Sequence, residues 1–163
     1  METTTPTTGG SLQLLLLLVF LIIAILFLLT QQNTLKVLKP ENRLMSPGQV
    51  WLQLIPLFGQ VWLFVVVTRI ADSLAKERMS FQNDSILGLS DYTAAEEIGR
   101  RPTYGIGITY CILTVVDVFM TLIHIVPTIQ GVVGLSMMAC WITYWVQLAA
   151  EKRKIKKMNP AAA

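Results

Sequence analysis

Charge, cysteine and histidine are all scarce in this 163-residue chain. Only 14% of its residues are charged and 53% are hydrophobic, against roughly 25% charged in soluble proteins, which argues against a soluble fold. The two cysteines, Cys111 and Cys140, fall inside apolar runs without CxxC spacing. That excludes a disulfide framework or zinc site and leaves them as small hydrophobes. With His124 as the one histidine, no histidine pair exists to hold a metal. HExxH, GxSxG and Walker motifs are absent, and Gly105-Ile106-Gly107 lacks the strand and third glycine of a dinucleotide site, serving better as a close helix contact. No catalytic residue, metal or cofactor is expected, so the chain does not read as an enzyme. Its net charge of +3 comes from basic residues beside apolar runs. Topology and anionic lipid headgroups explain those residues, and nucleic acid is not an expected partner.

What the chain does have is apolar length. About 20 residues cross a hydrocarbon core of roughly 30 Å, and four runs reach that scale: 12–30, 50–68, 104–125 and 129–150. The expected fold is therefore all-α, a membrane-embedded helical bundle in one domain spanning 12–150. Residues 1–11, rich in Thr and Gly, read as a flexible tail. The first run lacks the positive flank and cleavage site of a signal peptide and reads as a retained helix facing lipid. Residues 79–103 form the sizeable polar connector, on the cytoplasmic side, where the adjacent Glu96 and Glu97 diverge on a helix and read as solvated surface. The third and fourth runs, joined by the short Val126-Pro127-Thr128 turn, make an antiparallel hairpin. Beyond it lies a basic cytoplasmic tail, 151–163, where Lys152, Arg153, Lys154, Lys156 and Lys157 anchor to anionic lipid.

The second run carries the most information. Pro56 cannot donate a backbone hydrogen bond and Gly59 has no side chain, so a bend is expected from Pro56 to Gly59. Pro47 after Ser46 suits a first helical turn. Trp51 and Trp62, either side of the bend, call for an interface or an N–H partner. Past Thr68 the helix continues amphipathically to about Arg78, with Ile70, Ala71 and Leu74 on its apolar face. Charge surfaces there at Arg69, Asp72, Lys76, Glu77 and Arg78. Asn42, Arg43, Met45, Pro47-Gly48-Gln49-Val50-Trp51-Leu52, Ile55-Pro56-Leu57-Phe58, Val61-Trp62 and Arg69-Ile70-Ala71-Asp72-Ser73-Leu74 resemble the core of a family of small, uncharacterised multi-pass bacterial membrane proteins. The resemblance covers about 42–77. It implies a membrane protein and carries no activity or ligand.

Two courses remain open for this run. A full crossing places Lys36, Lys39 and Arg43 opposite the other basic residues, whereas a re-entrant hairpin puts all 13 Lys and Arg on one side, as the positive-inside rule prefers. The length of the run favours the crossing. Either way the C-terminus is cytoplasmic, in the plasma membrane.

Polar stripes mark three of the runs. Tyr110, Thr114, Asp117, Thr121 and His124 fall within an arc of roughly 80° on one helix. Ser136, Cys140, Thr143 and Gln147 form a second row, and Gln49, Gln53 and Gln60 a third. The expectation is that these helices face one another. Ser, Thr and Gln hold membrane helices together, but a mid-helix carboxylate costs about 2.5–3.5 kcal/mol to insert and marks Asp117 as a candidate for function. The first reading is an assembly or interaction subunit, homo-oligomeric or docked to a larger membrane partner, with Gly131, Gly134, Ser136 and Ala139 as close-packing surface and the connector 79–103 as the docking piece. The alternative is a proton or ion permeation pathway along the Asp117 stripe.

Overall fold

The computed structural model describes residues 8–84, 101–123 and 127–158, with side chains from residue 10 to 81 in the first of these segments. Among them the fold is all helical: α1 (Thr8–Val37), α2 (Phe58–Asp84), α3 (Tyr104–Leu122) and α4 (Pro127–Met158), with 3-10 helices at Pro40–Asn42 and Pro47–Leu54. All four α-helices are long and apolar enough to cross a membrane. Each outruns or shifts the apolar run that announced it, because helix boundaries follow packing and caps more than hydropathy. α1 adds Gln31–Val37, and α4 absorbs Pro127 at its start and the basic stretch at its end. The expected tail at 151 is thus helical as far as Met158, with Ile155 fully buried.

Two layers of packing fix the directions of the helices. Phe27, Leu63, Val67, Cys111 and Tyr144 form one cluster; Leu35, Leu38, Ile70, Leu74, Leu148 and Ile155 belong to the other. Residue numbers rise from the first cluster to the second along α1, α2 and α4, so these three run the same way. α3 runs against them: its N-terminal Arg101 flank pairs with Asp72 at 3.0 Å, Gly107 meets Val67 and Tyr144, and Thr121 at the far end accepts from Gln130. Gly107 is required by that crossing, since a Cβ there would lie 2.9 Å from the Tyr144 ring.

Residues 50–68 do not form one helix. After α1 the chain turns back, and Pro47–Leu54 descends beside it: Val50 packs with Leu35 and Leu38, Trp51 Nε1 donates to Gln32 Oε1 at 3.3 Å, and Gln53 Nε2 donates to Gln31 Oε1 at 2.6 Å. The chain reverses at Ile55–Leu57 and α2 climbs out again, its Trp62 Nε1 bonded to the Gln49 carbonyl at 2.8 Å. The bend falls where Pro56 and Gly59 place it, and both indoles have N–H partners. The single helix that length favoured over residues 50–68 is replaced by two arms meeting at the bend. The tip lies partway along α1, beside Phe20 and Ala24, and α2 from Phe58 to Phe81 is itself long and apolar enough to cross a membrane.

At the open end of the hairpin a polar latch holds the connector. Glu77, fully buried, accepts through Oε2 from the Lys39 amide at 3.1 Å and Asn42 Nδ2 at 2.7 Å. Ser73 Oγ accepts from the Leu44 amide at 2.9 Å, and Arg43 donates to the carbonyls of Leu38 and Lys36. The expectation that Glu77 surfaces is therefore corrected. It lies three and seven residues beyond Leu74 and Ile70, on their face of α2. Arg78 bridges to Glu151 of α4, which also pairs with Lys154. Breaking a buried, hydrogen-bonded carboxyl costs about 3 kcal/mol. Glu77→Ala is expected to lower stability by that order while Lys76→Ala, at an exposed site, changes it by less than about 1 kcal/mol, as read from unfolding in detergent. Conversely, Tyr144 is fully buried with no hydrogen-bond partner for its hydroxyl. Tyr144→Phe is expected to stabilise the fold by about 1 kcal/mol in the same assay.

Candidate functional site

Because the hairpin stops partway, the level of its tip is also where the bundle opens. A cavity of about 220 Å³ lies there, walled by Phe20, Ala24 and Phe27 of α1, Gln53 and Leu54 of the descending arm, Gly59, Gln60 and Leu63 of α2, Tyr110 and Thr114 of α3, and Met137, Met138 and Trp141 of α4. Four residues singled out from sequence, Gln53, Gln60, Tyr110 and Thr114, thus meet at one place. Gln53 spends its amide on Gln31 Oε1 and the Val50 carbonyl. The Gln60 side chain forms no hydrogen bond among the described residues. The rest of the wall is hydrocarbon, aromatic or thioether.

The tip is built tightly. The Phe58 amide donates to the Pro56 carbonyl at 2.7 Å and the Gly59 amide to that of Ile55 at 2.7 Å, and Pro56 has no amide to satisfy. Gly59 sits under the Gln53 carbonyl, whose carbon a Cβ would approach to 2.9 Å. Leu57 adopts φ 62°, the left-handed region, and is 86% exposed.

Beyond the tip α3 has no α2 beside it. Asp117, one turn past Thr114, is half-buried, and its carboxyl forms no hydrogen bond or ion pair among the described residues. Thr121 donates to the Asp117 backbone carbonyl at 2.9 Å and accepts from Gln130 Nε2 at 2.8 Å. His124 lies outside the described residues. The row on α4 does not face the other helices as expected: Ser136, Thr143 and Gln147 are exposed on the chain's outer surface. Ser136 and Thr143 bond back to the Val132 and Ala139 carbonyls at 2.9 and 2.7 Å. Such i−4 bonds satisfy a hydroxyl without a partner helix, so a polar stripe alone did not reveal which face packs. Aromatic residues do that work instead, with Trp141 and Trp145 set edge-on to Phe27 and Trp145 Nε1 donating to Thr30. Of the basic residues, Arg153, Lys154, Lys156 and Lys157 are exposed and Lys152 is half-buried.

Sequence reasoning passed over Gln31, buried beside Gln53, and Glu151. The signal for each was its stripe: Gln31, Thr34, Leu35 and Leu38 share one face of α1, and Tyr144, Leu148, Glu151 and Ile155 one face of α4. Among the described residues no group of three or more His, Cys, Asp or Glu is placed to hold a metal. No family model, curated protein or solved structure matches the chain.

Two substitutions test the tip. Leu57→Gly relieves the left-handed strain and is expected to raise stability by about 1 kcal/mol. Gly59→Ala forces the arms apart and is expected to lower it by about 2 kcal/mol or more, both measured by thermal unfolding in lipid nanodiscs.

Proposed function

We propose that the chain is a non-catalytic assembly subunit of a bacterial plasma membrane, recruited as a second copy or beside a larger membrane protein. The observation that carries this reading is Asp117. Its carboxyl stands well inside the apolar span of α3, half-exposed and without a donor among the described residues. Hydrocarbon is a poor neighbour for it. A helix from another chain, filling the space above the hairpin, supplies both the missing donor and the missing packing. Ser136, Thr143 and Gln147, exposed on α4, add further polar groups of the kind that join membrane helices.

Orientation follows from charge. The described Lys and Arg residues all lie at the end of the bundle where the connector is latched, and under the positive-inside rule that end faces the cytoplasm. In this topology α1, α3 and α4 cross, the α2 hairpin enters and leaves on the cytoplasmic side, and the C-terminal turns of α4 lie against anionic headgroups. A permeation pathway is the second reading, favoured by the row of Tyr110, Thr114 and Asp117 leading from the cavity along one face of α3.

The two readings part at Asp117→Asn, which keeps the shape and removes the titratable group. Assembly predicts that native mass spectrometry in mild detergent detects particles heavier than the 18.2 kDa chain. Asp117→Leu should then weaken association about tenfold, or about 1.4 kcal/mol. A strictly monomeric particle with no co-purifying protein overturns that reading. Proton leak into vesicles that disappears in Asp117→Asn, with unchanged thermal stability, favours permeation.

A further inference from the structure

We infer that the cavity at the hairpin tip is a binding site for an uncharged lipophilic molecule that ends in a carbonyl oxygen. The site is independent of the assembly reading and of Asp117. Three features define it. Its volume, about 220 Å³, exceeds the roughly 150 Å³ apolar cavity that binds benzene, so it admits a ring or the end of a chain and leaves the remainder outside. Phe20 and Leu54 of its lining are exposed on the outside of the chain, so a molecule dissolved in the bilayer reaches it sideways without crossing water. Its polar lining is Gln53, Gln60, Tyr110 and Thr114; Gln53 and Thr114 donate within the chain, which leaves the Gln60 amide, free of any partner among the described residues, and the Tyr110 hydroxyl as the donors on offer.

Those groups can serve an acceptor through the Gln60 NH2 and the Tyr110 O–H. Gln60 lies in the first turn of α2, where the positive end of the helix dipole also favours partial negative charge. A carbonyl oxygen accepts from the Gln60 amide and the Tyr110 hydroxyl without bringing a charge into the membrane. A carboxylate or phosphate is excluded, because no Lys or Arg lines the cavity. The apolar part of the lining, Phe27, Met137 and Trp141 among it, offers aromatic and adaptable thioether surface to a flat or flexible apolar body. Unpaired amide groups inside a bilayer are costly, and such a ligand removes that cost as it binds. The same carbonyl chemistry is carried by ester lipids of the bilayer and by free lipophilic ketones and quinones.

Trp141 in the wall supplies the readout. Full-length protein in nanodiscs is titrated with a benzoquinone bearing a ten-carbon tail, and in parallel assembled with phosphatidylcholine brominated on its acyl chains. A free lipophilic carbonyl as the ligand gives tryptophan quenching by the quinone that saturates, is absent in Trp141→Phe, and needs at least tenfold more quinone in Ala24→Phe, which adds a ring to the lining, and in Gln60→Leu, which removes the donor. An ester lipid as the ligand gives quenching by the brominated lipid above the bulk collisional level, abolished by Ala24→Phe and not displaced by the quinone. Quenching that stays proportional to probe concentration for both probes, or that saturates identically in folded Ala24→Phe and Gln60→Leu, overturns the inference.

Discussion

A reversal of the chain in the middle of a bilayer is tolerated only where every exposed amide at the turn finds an acceptor within the protein. The tip from Ile55 to Gly59 meets that condition for three of its four amides, the fourth, that of the exposed Leu57, having no acceptor among the described residues. Ile55, Phe58 and Gly59 donate to the carbonyls of Leu52, Pro56 and Ile55, and Pro56 carries no N–H. The absent side chain of Gly59 lets the two arms close over the Gln53 carbonyl. Because three of the four amides bond within the turn, α2 can begin partway along the neighbouring helices, and the remainder of the architecture follows from that start.

At the other end the hairpin is held by polar contacts where water is near. Glu77 gathers the Lys39 amide and Asn42, Ser73 takes the Leu44 amide, and Arg78 reaches across to Glu151. The connector cannot swing away without stripping donors from a buried carboxyl, which is the costly way to break such a site. The residues of the 42–77 stretch, distributed over a connector, a 3-10 arm and a helix, are thereby one spatial unit in which Met45, Val50, Ile70 and Leu74 share a core.

A hairpin that stops partway along its neighbouring helices leaves space above it. That space accounts for two otherwise unrelated features: the cavity at the tip, and the uncovered face of α3 bearing Asp117. It also leaves the N-terminal half of α1, from Leu12 to Ile22, exposed on every side within the chain, as befits a surface that lipid or another helix covers.

The number and apolar character of the helices, the break at Pro56 to Gly59, and the clustering of Ile70, Ala71 and Leu74 were all legible in the sequence, since hydropathy, proline and helical spacing are local properties. The polar stripes were legible as rows but not as interfaces. A Ser or Thr on a helix can be satisfied by its own backbone, as Ser136 and Thr143 are, so a row of hydroxyls carries no orientation. Length favoured one continuous helix over residues 50–68 where two arms stand, because a hairpin of two apolar arms and a single span have the same composition. Only tertiary packing separated them, by pairing Val50 with Leu35 and Gln53 with Gln31 and so running the first arm back along α1. The burial of Glu77 was likewise decided by the connector folding over it, a contact between residues 35 and 38 positions apart that no local pattern encodes.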